Sequence, residues 1–298
     1  MTQLLRGLTA VIEVTYTDAE GVTVDPGTVT VSITRLGGTA VATAAATSGS
    51  GAAKRTYTLS GTVTADLDTL TVVWSSVTLG TITATYEIVG AFLFTVAEAR
   101  AFDDKHLGTI DNEAEPTTYL YPAALIEAER ERIAEEFQRI CEVSFVPRYR
   151  MVTLSADDDG TIRLPDMQVQ VIRSVETRSG STWTAFGTDD LTDLVFDSAG
   201  LVARDTRGIF PTGNRLVRVG YEYGFPTVPL QIRRAALLTA RYSLAVSWTS
   251  ARTITASNEF GTQQYWTPGY SGRGSAIHEL PEVDKILRQF MYRVPRVA

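Results

Sequence analysis

Apolar side chains in the first ninety residues recur at every second position, and that alternation restricts this part of the chain to half-buried β-strands. The clearest case is Thr28 to Thr34, where Val29, Val31 and Ile33 point one way and Thr28, Thr30, Ser32 and Thr34 the other. The same pattern joins Ile12, Val14 and Tyr16, then Leu70, Val72 and Trp74, then Ile82, Ala84, Tyr86 and Ile88. Threonine fills many outward positions, where a β-branched polar residue suits a solvated sheet face. Turn residues separate the runs: Asp18-Ala19-Glu20-Gly21, Asp25-Pro26-Gly27 and Leu36-Gly37-Gly38. About six or seven short strands in such a length predict an immunoglobulin-like sandwich over 1–90. Residues 44–53 are small and polar enough for a mobile loop.

The period changes after Gly90. Thr95 with Glu98 three positions on is a capping box, and it predicts a helix over about 95–104. Residues 108–118 read as a polar loop. Pro122 opens the strongest helix, 122–141, in which Ile126, Ile133, Phe137 and Ile140 share one face. Glu127, Glu129, Arg130, Glu131, Arg132, Glu135, Glu136 and Arg139 crowd the rest, with Glu135 and Arg139 at favourable i,i+4 spacing. Such a run is either a solvated face or a contact with a neighbouring subunit. Pro147 ends the helical stretch.

A β region is predicted over about 148–223. Tyr149 to Leu154 and Thr161 to Leu164 flank Asp157-Asp158-Asp159-Gly160 as a hairpin, and Val217, Val219, Tyr221 and Tyr223 make the last alternating strand. A second long helix, 229–248, is apolar around most of its circumference and is expected to be buried. Residues 249–278 carry Gly, Ser and Thr together with Phe260, Tyr265, Trp266 and Tyr270 and show no period. They begin an arm, 249–298, that ends in a short helix, 281–290. That helix sets Leu280, Val283, Ile286, Leu287 and Phe290 on one side. The stripe either docks in a partner's groove or packs back on its own bundle.

Composition bounds the function. An apolar fraction of 44% and a charged fraction of 20% are those of a folded protein, and the net charge of −7 disfavours tight phosphate binding. Cys141 is the one cysteine, so no internal disulfide forms, and a small core residue is the expectation. The N-terminus does not read as a signal peptide and no run is long enough to span a bilayer, so a soluble protein made in a cytosol is expected. His106 and His278 are the two histidines, and neither accompanies a nucleophile elbow or a zinc spacing. Glycine-rich phosphate cradles do not occur. Ser155, Asp157, Asp159, Gly160 and Asp166 echo a calcium loop weakly, but a hairpin turn explains them better. The expectation is a protein that is not an enzyme and has no cofactor.

The order of FTVAEARAF (94–102), IEAERERIAEEFQRICEVSFVPR (126–148), VRVGYEYGFPTVPLQIRRAALLTARYSL (217–244) and LPEVDKILRQF (280–290) resembles the head-to-tail connector, or adaptor, family of long-tailed bacteriophages. The resemblance covers about 91–298, with the N-terminal β domain as an addition. It implies a small helical bundle with a β insertion, and together with the immunoglobulin-like β-sandwich read from 1–90 the expectation is an α+β, multidomain protein. It also implies a virion protein of the head-tail junction, assembled in the host cytoplasm as a ring of about twelve copies. The implied partners are the portal, the next connector or stopper protein, and DNA that slides through the lumen without sequence-specific binding. The residues expected at the portal are Leu280, Val283, Ile286, Leu287 and Phe290. Those expected between subunits are Glu127, Arg130, Glu131, Glu135 and Arg139. Alternatives are a tail terminator, a minor capsid or decoration protein, or a surface glycan-binding β module, which exposed aromatics on one sheet face would support, although Trp74 shares its face with Val72 and Leu70 and reads as core.

Overall fold

The computed structural model describes residues 2–49, 53–102, 121–206, 208–245, 255–258, 261–264, 277–278 and 280–291. The chain is a multidomain α+β protein. Packing gathers it into two compact units, Met1–Ala91 with Val146–Pro226, and Phe92–Phe145 with Thr227–Ala298. Space therefore groups the segments differently from a single boundary at Gly90: the β insertion belongs with the N-terminal sandwich, and the helices on either side of it come together.

In the first unit, strands β1 (Thr2–Leu5), β8 (Gly80–Val89), β7 (Asp68–Ser76), β3 (Val29–Arg35) and β4 (Ala40–Ala46) form one sheet in that order. Strands β2 (Ala10–Thr15), β6 (Lys54–Leu59) and β5 (Ser48–Gly49) form a second. The inward residues of both sheets share one core: Ile12, Val14 and Leu59 from the smaller, Val31, Ile33, Val72, Trp74 and Ile88 from the larger. The alternation seen in the sequence is the burial pattern observed, down to fully buried Val31, Ile33, Leu70, Val72 and Trp74. Trp74 is therefore core, and no glycan platform can be built on it. Much of the expected loop 44–53 is strand instead. Its residues 44–46 end β4 and residues 48–49 form β5, while 50–52 lie outside the described residues. Neighbouring β3 and β6 supply the hydrogen bonds that order this weakly amphipathic stretch.

The insertion contributes a four-stranded sheet in the order β12 (Thr182–Ala185), β11 (Val169–Ser179), β15 (Gly213–Tyr223), β9 (Arg148–Ala156). It also contributes a three-stranded sheet, β10 (Ile162–Arg163), β14 (Leu201–Arg204) and β13 (Leu194–Phe196). The two share a core around Phe210, Val217, Val219 and Tyr221. A short helix, α3 (Thr188–Thr192), lies between β12 and β13. The expected hairpin 149–164 is corrected. The turn closes, with Asp157 N donating to Thr161 O at 2.7 Å, but its arms part into different sheets, β9 pairing with β15 and β10 with β14. The Asp159 carboxylate serves that turn, accepting from Thr161 N and Oγ1, and the Ser155 hydroxyl accepts from Arg215 N.

Polar contacts join sandwich and insertion inside this unit. Arg173 donates through Nε to Glu222 at 2.6 Å and through Nη1 to Leu67 O at 2.7 Å, and its guanidinium lies 5.1 Å from the Tyr149 ring centroid. Arg148 faces Glu87 at 3.6 Å, and Arg6 faces Glu222 at 3.9 Å. Gly220 packs closely here, and a Cβ on it would lie 2.5 Å from the Tyr149 hydroxyl and 2.6 Å from Ser174 Oγ, so those side chains would have to shift. Gly90 donates to Pro147 O at 2.9 Å, and a Cβ on it would lie 2.7 Å from the proline ring.

The second unit packs α1 (Val96–Phe102), α2 (Ala123–Cys141), α4 (Leu230–Ala245) and α5 (Pro281–Phe290), with a hairpin of β16 (Thr255–Asn258) and β17 (Gly261–Gln264). The hairpin falls where the sequence shows no period. Phe260, Tyr265, Trp266 and Tyr270, the loop 108–118 and the ends of the expected helices at 103–104 and 246–248 lie outside the described residues. The expectation that α4 is largely buried holds for one face only: Ile232, Ala235, Ala236 and Ala240 are fully buried, while Leu230, Gln231, Arg234, Arg241 and Ser243 are exposed. No helix among the described residues is long and apolar enough to cross a membrane.

Candidate functional site

The second unit positions both sets of residues expected at interfaces. The capping box forms at the start of α1: Glu98 N donates to Thr95 Oγ1 at 3.1 Å, and Thr95 N to Glu98 Oε2 at 2.7 Å. Glu98 also accepts from Arg233 of α4 at 3.0 Å, so one carboxylate fixes the helix start and its neighbour. Tyr121 donates its hydroxyl to Leu244 O and ties the chain entering α2 to the end of α4.

On α2, Ile126, Ile133, Phe137 and Cys141 are buried while Ile140 is only partly so. Burial pushes the Cys141 thiol up to about 12, which makes it an inert core residue. Of the residues expected between subunits, Glu127, Glu135 and Arg139 are exposed and Glu131 partly so. Arg130 is the exception. It is 3% exposed, its guanidinium lies 3.7 Å from the Phe92 ring centroid, and Nη1 donates to Phe94 O at a long 3.4 Å. Its Nε has no partner. Burial draws its pKa below the usual arginine value, and Glu127 and Glu131 beside it oppose that shift. Arg130 is thus an internal clamp on the segment entering the unit, not a contact for a neighbour. Its spacing carried the signal: position 130 lies four after Ile126, three before Ile133 and seven before Phe137, on the buried face.

The exposed surface of α2 is organised by Arg132, which bonds Glu129 at 2.6 Å and Glu136 at 2.8 Å, and these attachments raise its pKa. Glu129 also accepts from Ser243 of α4. The acidic run therefore divides into carboxylates used within the unit and an outward set led by Glu127 and Glu135.

The stripe expected at the portal turns inward. Val283 and Leu287 are fully buried, Leu280, Ile286 and Phe290 partly so. Phe290 meets Phe145 edge-on with centroids 5.5 Å apart, and Cys141 Sγ lies 3.6 Å from Leu287 O. The helix packs on its own bundle, so Val283 and Leu287 cannot meet a partner while α5 stays seated. Its N-terminus is pinned by Asp284, which accepts from Ile277 N at 2.7 Å, His278 N at 3.3 Å and Arg288 Nε at 2.7 Å. Burial works against the Asp284 charge, but these donors outweigh it and hold its carboxyl below the usual range. His278, 6% exposed, accepts from Leu280 N at 3.1 Å, lies edge-on to Phe137 and has Nε2 4.0 Å from Glu136.

Sequence reasoning did not single out a cluster in the insertion. Asp166 accepts from the Tyr221 hydroxyl at 2.5 Å and from Arg150 at 3.0 Å. Burial, then the bond to Asp166, pushes the Tyr221 hydroxyl far up, so the group is a closed structural network. Among the described residues no three His, Cys, Asp or Glu side chains are grouped to hold a metal ion.

No family profile and no curated protein matches the sequence. Among solved structures, the chain is similar to the neck of an empty GTA particle computed with C6 symmetry, at 17% identity and a TM-score of 0.43 over 68% of this chain and 92% of that one. It is likewise similar to the neck of a native GTA particle computed with C12 symmetry, at 18% identity and a TM-score of 0.40 over 67% and 90%.

Proposed function

We propose that the chain is a structural protein of a tailed-phage neck, the head-to-tail adaptor that assembles as a ring of about twelve copies beneath the portal. The ring continues the DNA channel and supports the next connector. The observation that carries this reading is the element order: α1 and α2, then a β insertion, then α4 and α5, with the four helices packed as one bundle across the insertion. That is the arrangement implied by the resemblance over 91–298. The net charge of −7 supports it as well, since a conduit wall must let DNA slide.

Portal binding in this reading falls to the residues of the α5 stripe that keep exposure, Leu280, Ile286 and Phe290, and subunit contact to Glu127, Glu131, Glu135 and Arg139. The test mixes the full chain with isolated portal rings and averages electron-microscope images. Coaxial rings on the portal's narrow end are expected, and Ile286→Asp is expected to reduce their yield. An intact portal that stays bare, with no rings of this chain alone, would overturn the adaptor reading and favour another virion component.

A further inference from the structure

We infer that a groove on the first unit receives helix α2 of a second copy of this chain. The inference rests on the ring reading above and names the two faces of its repeating contact. The groove holds about 390 Å³. One side is the β3–β4 turn, where Leu36 is 45% exposed and Gly37 and Gly38 present bare backbone. The other side is the four-stranded sheet, through Met151, Thr153, Glu176 and Arg218.

Strand register continues that surface past the groove. Glu176 stands opposite Arg218 and Arg178 opposite Trp183, so all four share one face. The Arg218 guanidinium lies 4.3 Å and that of Arg178 5.9 Å from the Trp183 ring centroid. Glu176 bonds Arg218 at 2.8 Å, which leaves two guanidiniums to one carboxylate beside the indole. The surface thus runs from apolar, at Leu36 and Met151, to cationic, at Arg218 and Arg178.

Helix α2 carries the complementary order. Leu125 is 44% exposed, and Ala128, Glu131 and Glu135 follow at helical spacing along the same side. Ten residues of helix span about 15 Å, from an apolar head to carboxylates. Leu125 against Leu36 and Met151, with Glu135 against Arg178, pairs unlike faces of successive copies. A heterologous contact of this kind is what a closed ring repeats.

The test is a charge exchange in the full chain, with ring yield on portal read by electron microscopy and folding by thermal denaturation. Arg178→Glu and Glu135→Arg each alter an exposed residue and are each expected to lower ring yield about tenfold, since like charges at a contact cost more than about 1.4 kcal/mol. The double variant restores opposite charges at every contact and is expected to recover the yield. Leu36→Asp, which leaves the charge pair intact, is expected to lose rings as well. If the wild type forms rings and the single variants match it, the groove is not the contact and the adaptor reading stands. If the wild type forms no rings, both fall.

Discussion

The sandwich and the helical unit place their buried polar groups differently: Asp68 and Ser76 begin and end β7, whereas Arg130 sits on the buried face of α2. In the sandwich, alternation puts aliphatic and aromatic side chains inward, and its core is Val31, Ile33, Val72, Trp74 and their neighbours. In the helical unit, charged and polar groups reach the interior: Arg130 is 3% and His278 6% exposed, and Asp284 organises the start of α5. Both regions are held by area removed from water and by a few directional bonds, Arg35 to Asp68 at 2.9 Å in the sandwich and those to Asp284 in the helical unit. Packing mutations test the alternating core of the first, and charge and acidity test Arg130 and Asp284 in the second.

The largest expected effect tests the sandwich. Trp74→Ala removes a fully buried indole and should cost about 4 kcal/mol, read as a fall in the denaturant midpoint. A loss below about 1 kcal/mol would mean that this core is not close-packed.

Less of the structure was legible where contrast or locality failed. Strand β3 could be read directly, because Val and Ile alternate with Thr and Ser. Residues 44–49 could not, because Ala, Thr, Ser and Gly offer no apolar face and the strand exists only by pairing with neighbours. Strand β9 was visible but its partner was not: Arg148 to Leu154 pair with residues 217–223, and no local turn announces so distant a choice. The capping box at Thr95 was fully readable because cap chemistry is local. At the candidate site, the outward Glu127 and Glu135 follow from charge, whereas Arg130 was hidden by its chemical type although its spacing places it inside.

Arg130→Met sharpens the comparison from the helical side. A buried cation with one long hydrogen bond should be replaceable by an apolar chain of similar volume, so stability should change by less than about 1 kcal/mol or rise. A loss above about 3 kcal/mol would show that the clamp on Phe92 and Phe94 is essential.

The smallest expected effect is acid sensitivity at α5. The carboxyl of Asp284 lies below its ordinary value when folded, so its contribution is present above the unfolded value and is lost as pH falls through the folded one. Asp284→Asn should flatten the loss of stability below about pH 4, measured by thermal denaturation across pH. An unchanged profile would place the acid-sensitive groups elsewhere.

The Arg173 crossing bears on inheritance and engineering. A module joined to its host by a peptide alone can be shed, traded or fused elsewhere at little risk. Here the guanidinium that answers Glu222 also caps Leu67, so excising the sandwich strands one half of a bond in the insertion. The ninety-residue appendage and its host strands should therefore travel together between genomes, and chimeras cut at Gly90 should need Arg173 and Glu222 redesigned as a pair.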